Sequence, residues 1–172
     1  MAAPDAACSN LAVIDELLAR NEKYAATFPG PAPLPPALHL AVVACMDSRL
    51  DLYGALGLSI GDAHLIRNAG GVVTDDVIRS LVISQRLLGT REIVLIHHTD
   101  CGMVKFTDDG LKDAIEADTG IRPPWATEAF TDLDRDVRQS IARLKASPFV
   151  PYTDKMRGFV FDITTGLLRE VS

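Results

Sequence analysis

The chain has 172 residues, of which 48% are hydrophobic and 23% charged, and this is the profile of a single globular domain. Its net charge of −6 and its scattered Lys and Arg residues argue against a nucleic-acid partner. No apolar run approaches the roughly 20 residues of a membrane span, and no export signal is visible, so we predict a cytoplasmic protein with no membrane partner.

The N-terminal stretch predicts a helical arm over residues 1–28. Ser9 or Asn10 can cap a helix, and the apolar residues that follow recur at helical spacing as Leu11, Ile14, Leu17 and Leu18. That stripe must cover either the chain's own core or a partner subunit. The prolines of residues 29–37 exclude a helix and indicate an extended tether to the body, residues 38–172. Cys8, just before the helix, has no metal-spaced partner, and we interpret it as a free thiol.

Strand and helix patterns alternate through the body. The predicted strands are 38–46, 63–66, 92–98 and 158–163, with an edge strand within 167–171; the predicted helices are 50–58, 74–88, 113–118 and 133–144. This alternation is typical of parallel strands joined by crossover helices. We therefore predict an α/β fold, with a mostly parallel sheet of about four strands flanked by helices and an antiparallel C-terminal edge strand.

Residues capable of metal chemistry follow the predicted strands. Cys45 ends the first strand, while His98 and Cys101 end the third in an H-x-x-C spacing that can reach one ion. Ligands collect at the carboxyl ends of parallel strands, and two thiolates with one imidazole favour tetrahedral zinc. Two alternatives remain: the cysteines are buried apolar residues, or Asp47 closes a structural zinc site as fourth ligand.

Asp47 and Arg49 are close enough in sequence to pair beside this cluster. A bidentate grip by the guanidinium would let Asp47 orient a metal-bound water, and its release would let Asp47 bind the metal. The alternative is a salt bridge that caps the following helix. Alternation along the strand directs His97 to the opposite face, where we expect a core or supporting role.

Glycines near these residues can bring bare backbone close to a ligand. Gly70, Gly71 and Gly102 are therefore candidates for substrate binding through the backbone, with a tight turn as the alternative for the first two. A phosphate-binding C-x5-R loop is excluded because Asp51 and Thr107 stand where arginine is required. A C-x-x-C redox pair is also absent from the sequence.

Three motifs in this order resemble the β-class carbonic anhydrases. They are C-M-D-S-R at 45–49, R-N-A-G-G at 67–71 and H-T-D-C-G at 98–102. The D-V-I-R-S segment at 76–80 is most similar to the compact archaeal and actinobacterial branch. The resemblance is firm over residues 40–106 and continues to a closing hairpin at the C-terminus.

The resemblance implies that Cys45, His98 and Cys101 bind one Zn²⁺ per chain and that Asp47 and Arg49 form a catalytic dyad. In some family members the aspartate binds zinc in an inactive, closed state. The resemblance also implies a homodimer or a dimer of dimers, in which the N-terminal helix packs on the neighbouring subunit.

The expected activity is reversible hydration of carbon dioxide to bicarbonate and a proton through zinc-bound hydroxide. Relatives with the same ligands hydrolyse carbonyl sulfide or carbon disulfide, so those substrates are the alternative. A third hypothesis is a non-catalytic zinc-binding protein with Asp47 permanently on the metal.

Overall fold

The computed structural model describes residues 12–172. It divides the chain into a first unit that extends to Ala32 and a second unit, Pro33–Ser172. The predicted helix caps Ser9 and Asn10, together with Leu11 and Cys8, lie outside the described residues.

The first unit contains helix α1, Val13–Ala25, which carries no buried residue. The large apolar side chains on it remain exposed, among them Val13, Ile14, Leu17 and Leu18. The helix ends before the predicted Phe28, and the amides of Thr27 and Phe28 close turns onto Tyr24 and Ala25. Pro29 explains this earlier end, because a following proline disfavours helical geometry at Phe28.

The second unit is built on a sheet of five strands within the described part of the chain. The strands are β1 (Leu40–Cys45), β2 (Ala63–Asn68), β3 (Glu92–His98), β4 (Met156–Phe161) and β5 (Leu168–Val171). Their order is β2-β1-β3-β4-β5; the first four are parallel, and β5 pairs antiparallel with β4. The predicted α/β fold with an antiparallel C-terminal edge strand is confirmed.

Four α-helices accompany the sheet in this unit, and each begins at a side chain that accepts a backbone N–H. The helices are α2 (Leu52–Leu56), α3 (Asp75–Arg86), α4 (Asp108–Thr119) and α5 (Leu133–Ala146); their caps are Asp51, Thr74, Thr107 and Asp132. Helix α4 starts five residues before the predicted position 113, because the Thr107 cap permits an earlier, polar first turn. No helix within residues 12–172 is long and apolar enough to cross a membrane.

The alternation of strand side chains creates a separate core on each face of the sheet. On one face Ala41, Val43 and Leu95 pack with residues of α3 and α5. On the other face Val42, Ala44 and Ile96 pack with Cys45 and Cys101. Because β1 and β3 are parallel neighbours, with Ala44 paired to Ile96, Cys45 and His98 emerge at the same edge of the sheet.

Candidate metal centre

Cys45, His98 and Cys101 converge at this edge, and all three are buried. One potential ligand atom from each lies within 4.8 Å of the others, and the two Sγ atoms are 4.0 Å apart. Two sulfurs bound to one tetrahedral zinc at about 2.3 Å each would be separated by about 3.8 Å. The sulfur spacing therefore fits a shared zinc ion.

The His98 imidazole presents a free lone pair to this cluster. Its Nδ1 lies 2.9 Å from the carbonyl oxygen of Thr99, which can only accept, so Nδ1 carries the proton. In the neutral imidazole Nε2 is then the unprotonated nitrogen, and it is buried without a hydrogen-bond partner. Carbonyl-fixed tautomers of this kind are usual for metal-bound histidines, so the buried orphan nitrogen fits a metal ligand.

The two cysteine thiols shift each other's pKa in opposite directions. A hydrogen bond from Cys101 lowers the pKa of Cys45 despite burial, with help from His98 and the backbone amides of Asp47 and Gly70. The same sulfur contact, together with burial, raises the pKa of Cys101. The cluster thus stabilises one thiolate by itself, and a cation at its centre would favour the second.

Asp47 and Arg49 form a bidentate pair at the rim of the cluster. Nε and Nη2 of Arg49 donate to Oδ1 and Oδ2 of Asp47 at 2.9 Å and 2.7 Å. These hydrogen bonds, with one from the Arg49 amide, hold the pKa of Asp47 well below its ordinary value of 3.8. Oδ2 of Asp47 lies 3.7 Å from Nε2 of His98, so the ionised carboxylate faces the ligand set.

The tight turn Ala69–Gly71 explains why glycines stand beside the cluster. Gly71 has φ +69°, and a Cβ there would lie 2.7 Å from the backbone nitrogen of Cys45. Gly70 has φ +82°, and its Cβ position is filled by Met103 and Phe130. Both glycines thus permit close packing against protein atoms, whereas a Cβ on Gly102 would meet nothing within 4 Å.

Two further residues support the site, and sequence reasoning did not assign them a role. Arg67 donates from Nε to the carbonyl of Cys45 at 2.9 Å and from Nη2 to that of Asp47 at 2.6 Å. Asp100 accepts from Nη1 of Arg49 at 3.0 Å. Arg67 precedes the glycine turn in a recognisable motif, but nothing in the sequence indicates that Asp100 reaches a residue 51 positions away.

His97 lies on the opposite face of β3 from His98, as the strand alternation predicts. Its Nε2 is 2.7 Å from Oδ2 of Asp136 on α5, and its ring stacks on Phe130 with centroids 5.1 Å apart. The side chain is completely buried. It therefore belongs to the packing between the sheet and α5.

Comparisons with known proteins identify the family. The family model described as "Carbonic anhydrase" matches residues 40–168. Proteins named "Beta-carbonic anhydrase 1" from Mycobacterium bovis and Mycobacterium tuberculosis are 60% identical over 162 residues, covering 94% of this chain and 99% of theirs. A "Carbon disulfide hydrolase" from Saccharolobus solfataricus is 34% identical over 91% of this chain and 88% of its own.

Among solved structures, a carbonic anhydrase from Streptococcus mutans superposes with a TM-score of 0.89 at 44% identity. The match covers 95% of this chain and 100% of that protein. A carbonic anhydrase from Glaciozyma antarctica gives a TM-score of 0.82 at 43% identity, covering 90% and 95% of the two chains. With the buried Cys-His-Cys cluster at the carboxyl edge of its parallel sheet, this chain belongs to the β-class carbonic anhydrases.

Proposed function

We propose that the protein hydrates carbon dioxide reversibly to bicarbonate and a proton at a zinc site. The observation that carries this proposal is the buried group of Cys45, His98 and Cys101, in which the orphan Nε2 faces two thiols. The family match and the 60% identity to enzymes named as β-carbonic anhydrases support the same activity.

Zinc is the cofactor that these residues fit. Two thiolates and one imidazole supply three ligands, and a catalytic zinc site keeps its fourth position open. Zinc, when bound, supplies a Lewis acid that lowers the pKa of water and provides hydroxide near neutral pH. The hydrogen bond from Cys101, with the backbone amides of Asp47 and Gly70, favours the thiolate of Cys45, and the Thr99 carbonyl holds the proton of His98 on Nδ1.

Asp47 and Arg49 act beside the fourth position. The low pKa of Asp47 keeps its carboxylate ionised, so it can only accept a hydrogen bond. It thereby orients a water molecule next to the ligands and excludes other orientations, while Arg49 fixes the carboxylate through two parallel hydrogen bonds. Released from Arg49, the same carboxylate would serve as a conditional fourth ligand and close the site.

The three glycines that are candidates for backbone contact with the substrate have different surroundings. The Gly70 amide supports the Cys45 sulfur, and Gly71 packs against the backbone of β1. Gly102 borders open space next to Cys101. We therefore place the backbone contact with substrate at Gly102 and give the other two glycines the task of shaping the metal centre.

Stopped-flow hydration of carbon dioxide tests the activity directly. Zinc-replete protein is expected to be active, protein stripped by a chelator inactive, and the stripped protein restored by one equivalent of zinc. Metal-loaded protein that is inactive across a wide pH range would contradict the proposal and favour a non-catalytic zinc protein.

Carbon disulfide or carbonyl sulfide is the second candidate substrate. Relatives named carbon disulfide hydrolases are 34% and 35% identical to this chain. The structure also has an apolar cavity of about 290 Å³. Its lining includes Met103, Phe106 and Trp125, together with Asn68 and Ala69 at the start of the glycine turn. Sulfur is larger and softer than oxygen, so apolar walls would favour these substrates. Sulfide release, measured beside bicarbonate production under equal conditions, separates the two activities.

We further propose a homodimer or a dimer of dimers in which α1 contacts a neighbouring subunit. Leu17 and Leu18 are 52% and 60% exposed on a helix without a buried residue, and such a stripe is typical of an interface. A Leu17→Glu, Leu18→Glu double variant is expected to sediment as a smaller species than wild type. The matched control is Lys23→Glu, in the last turn of the same helix, and an unchanged sedimentation coefficient in the double variant would contradict the proposal.

A cytoplasmic location agrees with the thiol chemistry. Cys45 and Cys101 are free in the structure, and they must stay reduced to bind zinc, which reducing compartments favour. Fractionation of cells that express the native chain tests this location, and enrichment outside the cytoplasmic fraction would contradict it.

A further inference from the structure

Arg49 is held on two edges of its guanidinium. The first edge grips Asp47 through Nε and Nη2. The second edge faces Asp100, whose Oδ2 accepts from Nη1 at 3.0 Å and whose backbone oxygen accepts from Nη2 at 3.1 Å. Arg49 therefore cannot rotate away from Asp47 without also breaking its contacts to Asp100.

Lys105 braces Asp100 from the other side. Its Nζ lies 2.7 Å from Oδ1 of Asp100, so the carboxylate divides its two oxygens between a lysine and an arginine. Asp100 has φ +53°, a left-handed conformation that aspartate, asparagine and glycine tolerate better than other residues. This backbone conformation lets one residue offer both its carboxylate and its carbonyl to the same guanidinium.

Asp47 has two competing partners. Its Oδ2 is 2.7 Å from Nη2 of Arg49 and only 3.7 Å from Nε2 of His98, a ligand of the proposed metal. A carboxylate in this position can stay on the arginine or move to the metal as a fourth ligand. The strength of the hydrogen bonds between Arg49 and Asp47 then decides which of the two states is populated.

We propose that Asp100, braced by Lys105, is a positioning residue that holds Arg49 on Asp47 and thereby keeps the fourth position of the metal open. This inference rests on the proposed zinc function. Asp100 acts through Arg49 and itself touches neither metal nor substrate. When the open population falls, the apparent affinity of any anion that needs the fourth position falls by the same factor.

Two substitutions at Asp100 separate its side chain from its backbone. Asp100→Gly keeps the left-handed conformation and the carbonyl contact to Arg49 but removes the carboxylate. Asp100→Asn keeps an acceptor oxygen for Arg49 and also tolerates the backbone conformation. The contact to Lys105 loses its ionic character in both variants.

The experiment measures the open state without relying on turnover. Each variant is loaded with Co²⁺, and thiocyanate is titrated while the visible absorption of the cobalt is recorded. We expect thiocyanate to bind about three- to tenfold more weakly in Asp100→Gly, with Asp100→Asn in between. With zinc, kcat for carbon dioxide should fall by the same factor at unchanged KM, because the closed population is inactive and carbon dioxide, unlike thiocyanate, does not need the fourth position in order to bind.

The matched control is Glu92→Gln at the opposite end of β3. Glu92 pairs with Lys155 at 3.0 Å, and the two side chains are 51% and 63% exposed, as are those of Asp100 and Lys105. We expect this variant to keep wild-type thiocyanate affinity and kcat.

Three outcomes overturn the inference: unchanged thiocyanate affinity in Asp100→Gly, an equal loss in Glu92→Gln, or a fall in kcat without a fall in affinity. Failure of the proposed function has a different signature. In that case the wild-type protein binds cobalt and thiocyanate but does not hydrate carbon dioxide, and the Asp100 comparison can still be read from the anion titration.

Discussion

His97 and His98 are neighbours on β3, and both side chains are completely buried. They face opposite sides of the sheet and have opposite surroundings. Nε2 of His98 faces two thiols without a hydrogen-bond partner, whereas Nε2 of His97 is paired with Asp136 and its ring is covered by Phe130. Residue type and burial are therefore equal, and the surroundings alone distinguish the proposed metal ligand from the residue that packs between the sheet and α5.

Each ring keeps one buried nitrogen without a hydrogen-bond partner, Nε2 in His98 and Nδ1 in His97. Such a nitrogen is costly, and only in His98 does the ring belong to a group with two thiols that could hold a metal ion. The Thr99 carbonyl fixes the His98 tautomer so that the lone pair is available to the thiol cluster. On the other face, the Nε2–H of His97 donates a hydrogen bond to Asp136 and so joins the sheet to α5.

Removal of the His98 imidazole is expected to have the largest effect on zinc binding and activity. His98→Ala should lower zinc content and reduce kcat/KM by on the order of a thousandfold, because one of three ligands is lost. Zinc analysis and stopped-flow assays measure both quantities. His64→Gln is the control, because His64 bonds to Ser84 away from the cluster. If His98→Ala retained zinc and activity, His98 would not have the metal-binding role that distinguishes it from His97.

A methyl group at Gly71 should destabilise the protein, because this glycine packs against the backbone of Cys45 on the side of the thiol cluster. Gly71→Ala is expected to lower the free energy of unfolding by about 2–4 kcal/mol, since its Cβ would collide with the Cys45 amide at positive φ. Denaturant unfolding checks the value. Gly102→Ala is the matched control, because open space surrounds that position; equal losses in both would show that the turn does not position Cys45.

On the other face of the sheet, His97→Leu should lower the free energy of unfolding and leave zinc content and activity nearly unchanged. Loss of the hydrogen bond leaves Asp136 without this donor, so we expect a loss of about 1–3 kcal/mol with zinc content unchanged and kcat within about twofold of wild type. His97→Gln can still donate to Asp136 and should recover part of the stability. A large loss of zinc in His97→Leu would mean that the two histidines do not divide their roles as proposed.

The smallest effect is expected at Asp108, which anchors the segment that brings Phe130 over His97. Hydrogen bonds from Thr127 and from the Ala129 amide lower the pKa of Asp108 below its ordinary value of 3.8. Because the folded pKa is the lower one, this stabilisation is fully present above the unfolded value and is lost as pH falls through the folded value.

Asp108→Asn should therefore destabilise the protein by about 1 kcal/mol near neutral pH, and the difference from wild type should shrink in strong acid. Urea unfolding at a series of pH values measures it. A difference that grows as the pH is lowered would contradict the assignment. Asp134, whose pKa is lowered by Arg169 on another surface, offers a matched comparison through Asp134→Asn.

The sequence alone predicted the strand and helix alternation, and with it that Cys45, residues 68–71 and residues 98–101 gather at one edge of the sheet. It did so because apolar periodicity and capping residues act locally, and because parallel strands necessarily bring their carboxyl ends together. The helix ends were predicted less accurately. Helix α4 starts earlier than predicted, because the Thr107 cap stabilises a first turn that has no apolar periodicity. The motifs at Cys45, His98 and Cys101 were also readable, since their chemistry is contained in the residue types and spacings.

The partner of each buried atom was decided only by the tertiary structure. Asp100 reaches Arg49 across 51 positions, and Arg67 holds the carbonyls of Cys45 and Asp47 from the next strand. No local pattern encodes such contacts, because they depend on strand register and on the path of the loops after each strand. The side chains of the proposed metal centre could thus be identified from the sequence. The groups that orient them are known only from the tertiary structure, because folding brings distant segments within hydrogen-bonding distance.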